Sequence, residues 1–444
     1  MTQVQRPPQP PFPVGGQRPS LRKAFVAFRN PYFRWHWAST LASFSGMQMQ
    51  MIALGILGWE LSGSFAVVGV LQAAFAIPMA LLSLPGGAAV DRVEKRRLVV
   101  LSQGAFGALA AVIGFLVQVD LITVVLLFVG GVVQGSLFSV NGPARMALLT
   151  EIVEPEELTA AISLQNMAMN GTRVVAPAVA GLMIAFVSIE GTYYVTAALY
   201  AFTVFAMLHV PRTSSHIGRA RTALLADMGA GLGYVFRDRT LRSLMLSGLV
   251  IALFIFPYQV MLPGFADGLG HAELFGAMVA VSGIGGLLGS LGVAALSEHP
   301  RKPYLQFLLG LTAGGALVVL GALPAVMGPP GAFLALAVVG AGATAYMTLN
   351  QTMLMTEAVP DYRGRVMSIS MLTFSAMPLM ALPLGILADQ IGGEGAFITQ
   401  GIIAAAVILL IAMANRRHTF QRQEGQRPEG QRGEGQRQEG GRTA

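Results

Sequence analysis

Gly-Ala-Ala-Val-Asp-Arg-Val-Glu-Lys-Arg-Arg, residues 87–97, is the stretch that decides how the rest of the chain is interpreted. It joins two apolar segments, Val67–Pro85 and Leu98–Val119, each about long enough to cross a bilayer core of roughly 30 Å as a helix. A tight turn of small residues, one carboxylate and a cluster of cations therefore predict a hinge between two membrane helices. The alternative interpretation is a basic loop with an incidental Asp.

Composition indicates a membrane protein. The 444 residues are 54% hydrophobic and 11% charged, with a mean hydropathy of +0.62, whereas soluble proteins carry about 25% charged residues. The chain has no cysteine, which excludes disulfides, thiolate metal sites and cysteine nucleophiles. The net charge of +7 does not indicate nucleic-acid binding, because the cations lie where membrane topology requires them.

Apolar runs of adequate length occur twelve times. They cover residues 37–60, 65–86, 98–119, 121–145, 159–188, 192–210, 241–265, 273–297, 303–324, 331–354, 366–388 and 395–414. Several contain Pro or Gly, which membrane helices tolerate better than soluble helices do. The sequence therefore predicts an all-α membrane protein with twelve transmembrane helices.

Basic residues set the predicted orientation, because cytoplasmic loops hold an excess of Lys and Arg. Of the 29 basic residues, all except Arg173 fall in alternate loops or in the two tails, with Arg145 assigned to the loop after the fourth span. The six opposite loops contain no Lys or Arg, and their Asp and Glu residues lie near the loop edges. We therefore expect a multi-pass protein of the bacterial cytoplasmic (inner) membrane, with both termini in the cytoplasm.

The spans divide the chain into five parts. These are a disordered tail (1–30), a six-helix bundle (31–210), a cytoplasmic linker (211–240), a second six-helix bundle (241–415) and a disordered tail of Gln-Arg-x-Glu-Gly repeats (416–444). Apolar residues at helical spacing from Leu224 to Phe236 predict an amphipathic helix in the linker. An ordinary linker is the alternative.

The two predicted bundles contain an internal repeat. Leu148–Val153 matches Leu354–Val359 at an offset of 354 − 148 = 206 residues. The hinge acid Asp91 has a counterpart in Glu298 at almost the same offset. Because both copies start on the same side of the membrane, an axis along the membrane normal should relate them.

Several motifs resemble the major facilitator superfamily, over about residues 30 to 415. Gly87-x3-Asp91-Arg92-x2-Lys95-Arg96-Arg97 is similar to its helix 2 to helix 3 loop signature. The string Val359-Pro-Asp-Tyr-Arg-Gly-Arg-Val-Met-Ser368 resembles the branch that contains macrolide-efflux and enterobactin-type siderophore exporters. The resemblance implies two pseudo-symmetric six-helix bundles that rock about a central site. The fold hosts importers as well as exporters, so the branch carries the functional expectation.

The resemblance also implies a charge network that latches the cytoplasmic side of the two halves. We expect this gating network at Gly87, Asp91, Arg92, Lys95, Arg96, Arg97, Glu298, Arg301, Arg363 and Arg365.

Arg173 is the one basic residue inside a predicted span, where a charge costs about 2.5–3.5 kcal/mol on insertion scales. Asn166, Asn170 and Pro177 share its helix face. This polar stripe predicts a cavity lining, and the alternative is a structural Arg bonded to a neighbouring helix. Other candidates for the substrate cavity, or else for bonds between helices, are Gln48, Gln134, Asn141, Tyr258, Tyr346 and Asn350.

Proton coupling needs a carboxylate whose pKa changes between a dry and a wet state. The candidates are Glu60 and Asp389, with a role as solvated helix ends as the alternative. Drug antiporters carry Gly-Pro-x-x-Gly-Gly in the fifth helix, and Ala176-Pro177-Ala-Val-Ala180-Gly181 matches it in part, which predicts a helix-packing role for Pro177 and Gly181. The family's Arg-x-x-Gln-Gly motif appears without its Arg, as Gly131-Val-Val-Gln134-Gly135.

These features predict a secondary active transporter. The chain has no Walker-type phosphate loop, no His pair at metal-ligand spacing and no hydrolase constellation, so we expect no enzyme, no cofactor and no metal. The expected activity is efflux of a small apolar or amphipathic compound, such as a drug, macrolide or siderophore-like molecule, by proton antiport. Expected partners are that substrate, protons and membrane lipids, but not nucleic acid. The alternatives are a nutrient importer and a membrane sensor or scaffold without transport.

Overall fold

A computed structural model gives the architecture of the chain. It describes residues 26–90, 93–154, 157–212, 233–295, 302–359, 362, 366, 369–370 and 377–425. Helices account for nearly all of these residues, and none of them lies in a β-strand. The predicted tails fall mostly outside the described residues, but residues 416–425, which were predicted to belong to the disordered C-terminal tail, are described as helical. Of the predicted linker helix, only residues 233–237 are described, and these are helical.

Among the described residues, twelve helices correspond to the twelve predicted spans. They are α1 (Pro31–Ser62), α2 (Phe65–Val90), α3 (Lys95–Gln118), α4 (Val124–Ile152), α5 (Leu158–Phe186), α6 (Ile189–Leu208), α7 (Arg239–Gly268), α8 (Phe275–Ala295), α9 (Lys302–Ala322), α10 (Pro329–Glu357), α11 (377–391) and α12 (393–425). The last two run on from each other, but the non-helical conformation of Gly392 (φ 79°, ψ 160°) separates them. The prediction of an all-α membrane fold is confirmed.

Polar side chains cap the N-terminal ends of some of the helices. The Asn30 side chain accepts from the Tyr32 N–H (2.9 Å) ahead of α1, with Pro31 at the first helical position. Asp238 caps α7 by accepting from the N–H groups of Thr240 and Leu241. Such caps satisfy backbone groups that would otherwise be costly to bury near lipid.

Helix pairing repeats between the halves. In the first half α2 packs on α4, α3 on α6 and α1 on α6, and in the second half α8 packs on α10, α9 on α12 and α7 on α12. The halves meet along α2–α11 and α5–α8, which exchange under the same six-helix shift. The expected pseudo-symmetric pair of six-helix bundles is therefore confirmed.

Two local predictions are wrong. Gly87 lies inside α2, which continues to Val90, so the small residues that were predicted to form a turn are helical. Arg145 does not follow the fourth span but lies inside α4, with 3% of its surface exposed. The predicted end of the fourth span followed the hydropathy of the sequence. The α4 helix continues past that point because the side chain of Arg145 is hydrogen-bonded to Ser39, Thr40 and Asn141.

Candidate functional site

A cavity of about 220 Å³ lies between α5 of the first half and α7, α8 and α10 of the second. Four of the predicted site residues line it, namely Asn170, Arg173, Pro177 and Tyr258. The other lining residues are Phe256, Gln259, Ser282, Gly283, Gly286, Gly340, Ala343, Thr344, Met347, Thr348, Gln351 and Thr352. Apolar walls with a few polar groups are typical of small-molecule sites.

An irregular segment of α7 shapes one wall of this cavity. Residues Ile251–Ile255 form a π-helix, and the Phe256 N–H bonds to the Ile251 carbonyl (3.2 Å). Pro257 follows and cannot donate a backbone hydrogen bond. Beyond it, the Tyr258 hydroxyl hydrogen-bonds to the Ser282 hydroxyl of α8. π-Bulges are frequent at functional sites, and this one turns Phe256 and Tyr258 to the cavity.

Glycines bring the two halves together on one side of the cavity, the side at which α1 ends and α2 begins. We call it the α1–α2 side. A Cβ at Gly181 of α5 would clash with the carbonyl oxygen of Gly276 in α8, and a Cβ at Gly69 of α2 would lie 2.6 Å from Leu382 Cα in α11. Backbones approach this closely only where side chains are absent. Gly181, for which a helix-packing role was predicted, therefore lies at a close contact between α5 and α8.

Asp389 lies at the same closed side and not in the cavity. Its carboxylate accepts from the Ser64 hydroxyl (2.6 Å) and from the N–H groups of Phe65 (2.7 Å) and Ala66 (3.1 Å), so that α11 caps the N-terminus of α2. A second contact between the halves joins Trp59 Nε1 to the Asp267 carboxylate (3.2 Å). Glu60 is exposed at the end of α1 and does not belong to the described cavity lining.

Three other predicted cavity residues hydrogen-bond inside their own half. Gln134 donates to Gln50 (3.0 Å), while Gln306 donates to both Asn350 (2.7 Å) and Tyr346 (3.1 Å). Both networks are buried, and the three predicted residues are absent from the described cavity lining. Sequence reasoning missed Gln50 and Gln306, although each is an amide inside an apolar span.

Asn141 belongs to a buried network around Arg145. It donates to Ser102 (2.6 Å) and accepts from Arg145 Nε (3.2 Å), and Arg145 also donates to Ser39 (2.9 Å) and Thr40 (3.3 Å). This network ties α1, α3 and α4 together, so Asn141 has a place in helix packing.

The remaining cavity candidates, Asn166 and Gln48, are partly buried and do not contribute to the described lining.

Of the predicted gating residues, three are described in side-chain detail. Lys95 is buried and forms an ion pair with Glu151 of α4 (2.6 Å). Arg96 donates to the carbonyl groups of Met207 and Leu208 at the end of α6 (3.0 Å each). Arg97 is exposed. The contacts of Lys95 and Arg96 join helix ends within the first half. Gly87 is described as part of α2, whereas the other predicted gate positions lie outside the described residues: Asp91, Arg92, Glu298, Arg301, Arg363 and Arg365.

Comparison with known proteins gives relatives along nearly the whole chain. The multidrug efflux pump Tap of Mycobacterium tuberculosis is 28% identical over 390 residues, which cover 84% of this chain and 91% of that protein. The staphyloferrin A transporter of Staphylococcus aureus is 22% identical (88% and 98% covered), and macrolide efflux protein A of Streptococcus pyogenes is 22% identical (85% and 95%). The predicted resemblance to this branch is confirmed.

A solved structure shares the fold. The nucleoside transporter NupG superposes with a TM-score of 0.61 at 15% identity, over 86% of this chain and 98% of that one. The family described as "Transmembrane secretion effector" matches residues 22–429. With its paired six-helix halves, its cavity and these relatives, the chain belongs to the transmembrane secretion effector family of the major facilitator superfamily, and it is a multi-pass membrane transporter and not an enzyme.

Proposed function

We propose that this protein exports a small apolar or amphipathic compound from the bacterial cytoplasm by proton antiport and alternating access. The observation that carries the proposal is the cavity between the halves, which the Gly181–Gly276 and Gly69–Leu382 contacts close on the α1–α2 side. A transporter that alternates needs one central site and contacts that can separate on each side in turn.

The distribution of charge supports an orientation in the inner membrane. Lys and Arg concentrate in the loops opposite the α1–α2 side and in both tails, which favours cytoplasmic termini. In this orientation the α1–α2 side is extracellular. The described state is then closed to the outside, and the next step of the cycle must break the α2–α11 and α5–α8 contacts there.

Export, as opposed to uptake, is supported by the relatives. Tap is named a multidrug efflux pump and macrolide efflux protein A is named for efflux. The cavity is mixed in character, with Phe256 and Met347 beside amides and hydroxyls, and this suits an amphipathic cargo.

Asp389 is the carboxylate through which we propose that protons act. Because its charge accepts three hydrogen bonds at the N-terminus of α2, protonation would weaken both the cap and its attraction to the helix dipole. Protons arriving from outside would thus favour opening of the extracellular side, so Asp389 would act as a latch that external acidity releases, without itself carrying a proton to the cytoplasm.

Everted membrane vesicles test the transport proposal. With ATP supplied to energise the membrane, vesicles containing the protein should accumulate a macrolide or a fluorescent dye against its gradient, and a protonophore should abolish the accumulation. Vesicles from cells without the protein are the reference. Accumulation that persists after the protonophore would contradict proton antiport.

Two other functions give different results in the same vesicles. A nutrient importer, which the NupG-like fold also accommodates, would move solute in the reverse direction. A sensor or scaffold would move none of the compounds.

A further inference from the structure

Charge is distributed unevenly in the central cavity. Among the described residues that line it, Arg173 is the only one with a formal charge, and no Asp or Glu is present. The other polar groups are neutral amides and hydroxyls from α5, α7, α8 and α10. Arg173 keeps its positive charge at neutral pH whichever groups it bonds, because a guanidinium is not deprotonated in proteins.

The electrostatics of such a site discriminate between ligands by sign. The apolar residues that line part of the cavity reduce screening there, so an attraction or a repulsion is felt more strongly than at a fully solvated surface. A cation entering the cavity would meet a like charge, and no described lining carboxylate would compensate it. An anion would meet an opposite charge.

The shape of the guanidinium narrows the anion further. Its planar set of N–H donors matches the two oxygens of a carboxylate. Asn170 lies three residues before Arg173 on the same face of α5 and also lines the cavity, so its amide adds a donor beside the guanidinium. Together these groups favour a carboxylate over a neutral amide or ester.

The rest of the cavity suits an organic body. Phe256, Met347, Pro177 and Ala343 supply apolar walls. The volume of about 220 Å³ is below the range of roughly 300–1,000 Å³ for drug-sized sites. In the described state, the cavity therefore accommodates a compact body of one or two rings.

We propose that the cargo is an amphipathic organic monoanion whose carboxylate pairs with Arg173, and not a cationic drug. The inference rests on the proposed function, because it treats the cavity as the transport site. It also explains how a site without described carboxylates can be selective: Arg173 attracts one charge class and repels the other.

Three naphthalene compounds of similar size test the preference. They are 2-naphthylacetate, its neutral amide, and (2-naphthylmethyl)trimethylammonium. Binding is measured by titration calorimetry on the full chain in lipid nanodiscs, with empty nanodiscs as the reference for partition into lipid. We expect the carboxylate to bind at least about tenfold more tightly than the cation. Equal or tighter binding of the cation, or no carboxylate binding at about 5 mM, would overturn the proposal.

Substitutions at Arg173 assign the preference to this residue. Arg173→Gln should reduce the ratio of the two dissociation constants to less than about threefold, and Arg173→Lys should retain a preference for the carboxylate. Arg242→Gln removes an exposed arginine outside the cavity lining and should leave the ratio unchanged. A preference that survives in Arg173→Gln would contradict the proposal. If Arg173→Gln fails to fold, the wild-type ratio and Arg173→Lys still decide.

Failure of this inference is distinguishable from failure of the proposed export. Vesicles that export neutral or cationic compounds while nanodiscs show no anion preference would refute the monoanion and leave the transport proposal intact. An anion preference in nanodiscs without flux of 2-naphthylacetate in the same vesicles would refute export and leave the binding preference of the cavity.

Discussion

Asp389 is a single side chain that belongs to one half and completes a helix of the other. Three donors from residues 64–66 converge on its two oxygens. A carboxylate is suited to this position because it accepts on both oxygens and complements the positive end of the α2 dipole. The contact exists only while α2 and α11 are together, so it contributes to the free-energy difference between closed and open states.

Replacing Asp389 by Ala should therefore favour the open α1–α2 side. Loss of a helix cap costs about 0.5–2 kcal/mol, which corresponds to a roughly 2- to 30-fold larger open fraction. The measurement is the labelling rate of a cysteine introduced at Thr344, in the cavity, by a membrane-impermeant maleimide applied from the α1–α2 side.

Asp120→Asn is the matched control, because Asp120 lies in the α3–α4 loop on the same side and its positive φ (54°) is tolerated by Asn. Equal labelling rates in Asp389→Ala and the parent would show that the cap does not bias the equilibrium.

Three polar residues show which parts of the candidate site could be predicted from the sequence. Arg173 was predictable as a cavity residue, because its charge inside an apolar span demands a polar environment. The buried position of Arg145 was not predictable, since its partners Ser39 and Thr40 lie more than 100 positions away in the chain. Gln50 was likewise missed as the partner of Gln134, which lies 84 positions away on another helix. The polarity of an amide identifies it as a candidate, but the rotation of its helix decides which other amide it meets.

Helix pairs between the halves depend on small residues. Gly181 and Gly276 bring α5 and α8 into backbone contact, and Gly69 and Gly385 do the same for α2 and α11. In lipid there is little hydrophobic drive for helices to associate, so close van der Waals contact supplies much of the attraction. The closed side is stable because these surfaces fit without side chains between them.

Gly181→Val should prevent this fit. Its Cβ would clash with the Gly276 carbonyl, and overpacking of this kind costs about 1–3 kcal/mol. We expect export in vesicles to fall at least about fivefold while the protein level in the membrane is maintained.

Gly315→Val is the control, because a Cβ at Gly315 has no atom within 4 Å. An unchanged export rate in Gly181→Val would mean that α5 and α8 need not approach this closely during transport.

Elements as a whole were well predicted, and their ends were not. Each of the twelve spans corresponds to a helix in its described part, because twenty apolar residues have few alternatives in a bilayer. Apart from Pro257, nothing in the sequence indicates the π-helix of α7. The extension of α2 through Gly87 could not be predicted either, because glycine is compatible with both a turn and a membrane helix. The break at Gly392 matches the gap between the last two predicted spans.

For the whole molecule, orientation can be tested directly because the natural chain has no cysteine. Leu121 in the α3–α4 loop and Val93 before α3 are exposed at opposite ends of α3 (63% and 36%). In intact cells, an impermeant maleimide should label Leu121→Cys. It should reach Val93→Cys only after the membrane is permeabilised.

The cysteine-free parent is the blank for this experiment. The reverse labelling pattern would show that the orientation in the membrane is opposite to the one proposed, and the proposed direction of transport would then have to be abandoned.

The capped start of α2 has a further consequence for following the cycle in solution. Because the amide hydrogens of Phe65 and Ala66 are held by a carboxylate from the other half, separation of the halves removes their acceptor. Deuterium uptake at these two amides therefore reports the opening of a tertiary contact through the fraying of a secondary one. Mass spectrometry of a peptide that covers this turn would therefore follow opening of the transporter in native lipid, without any change to the sequence.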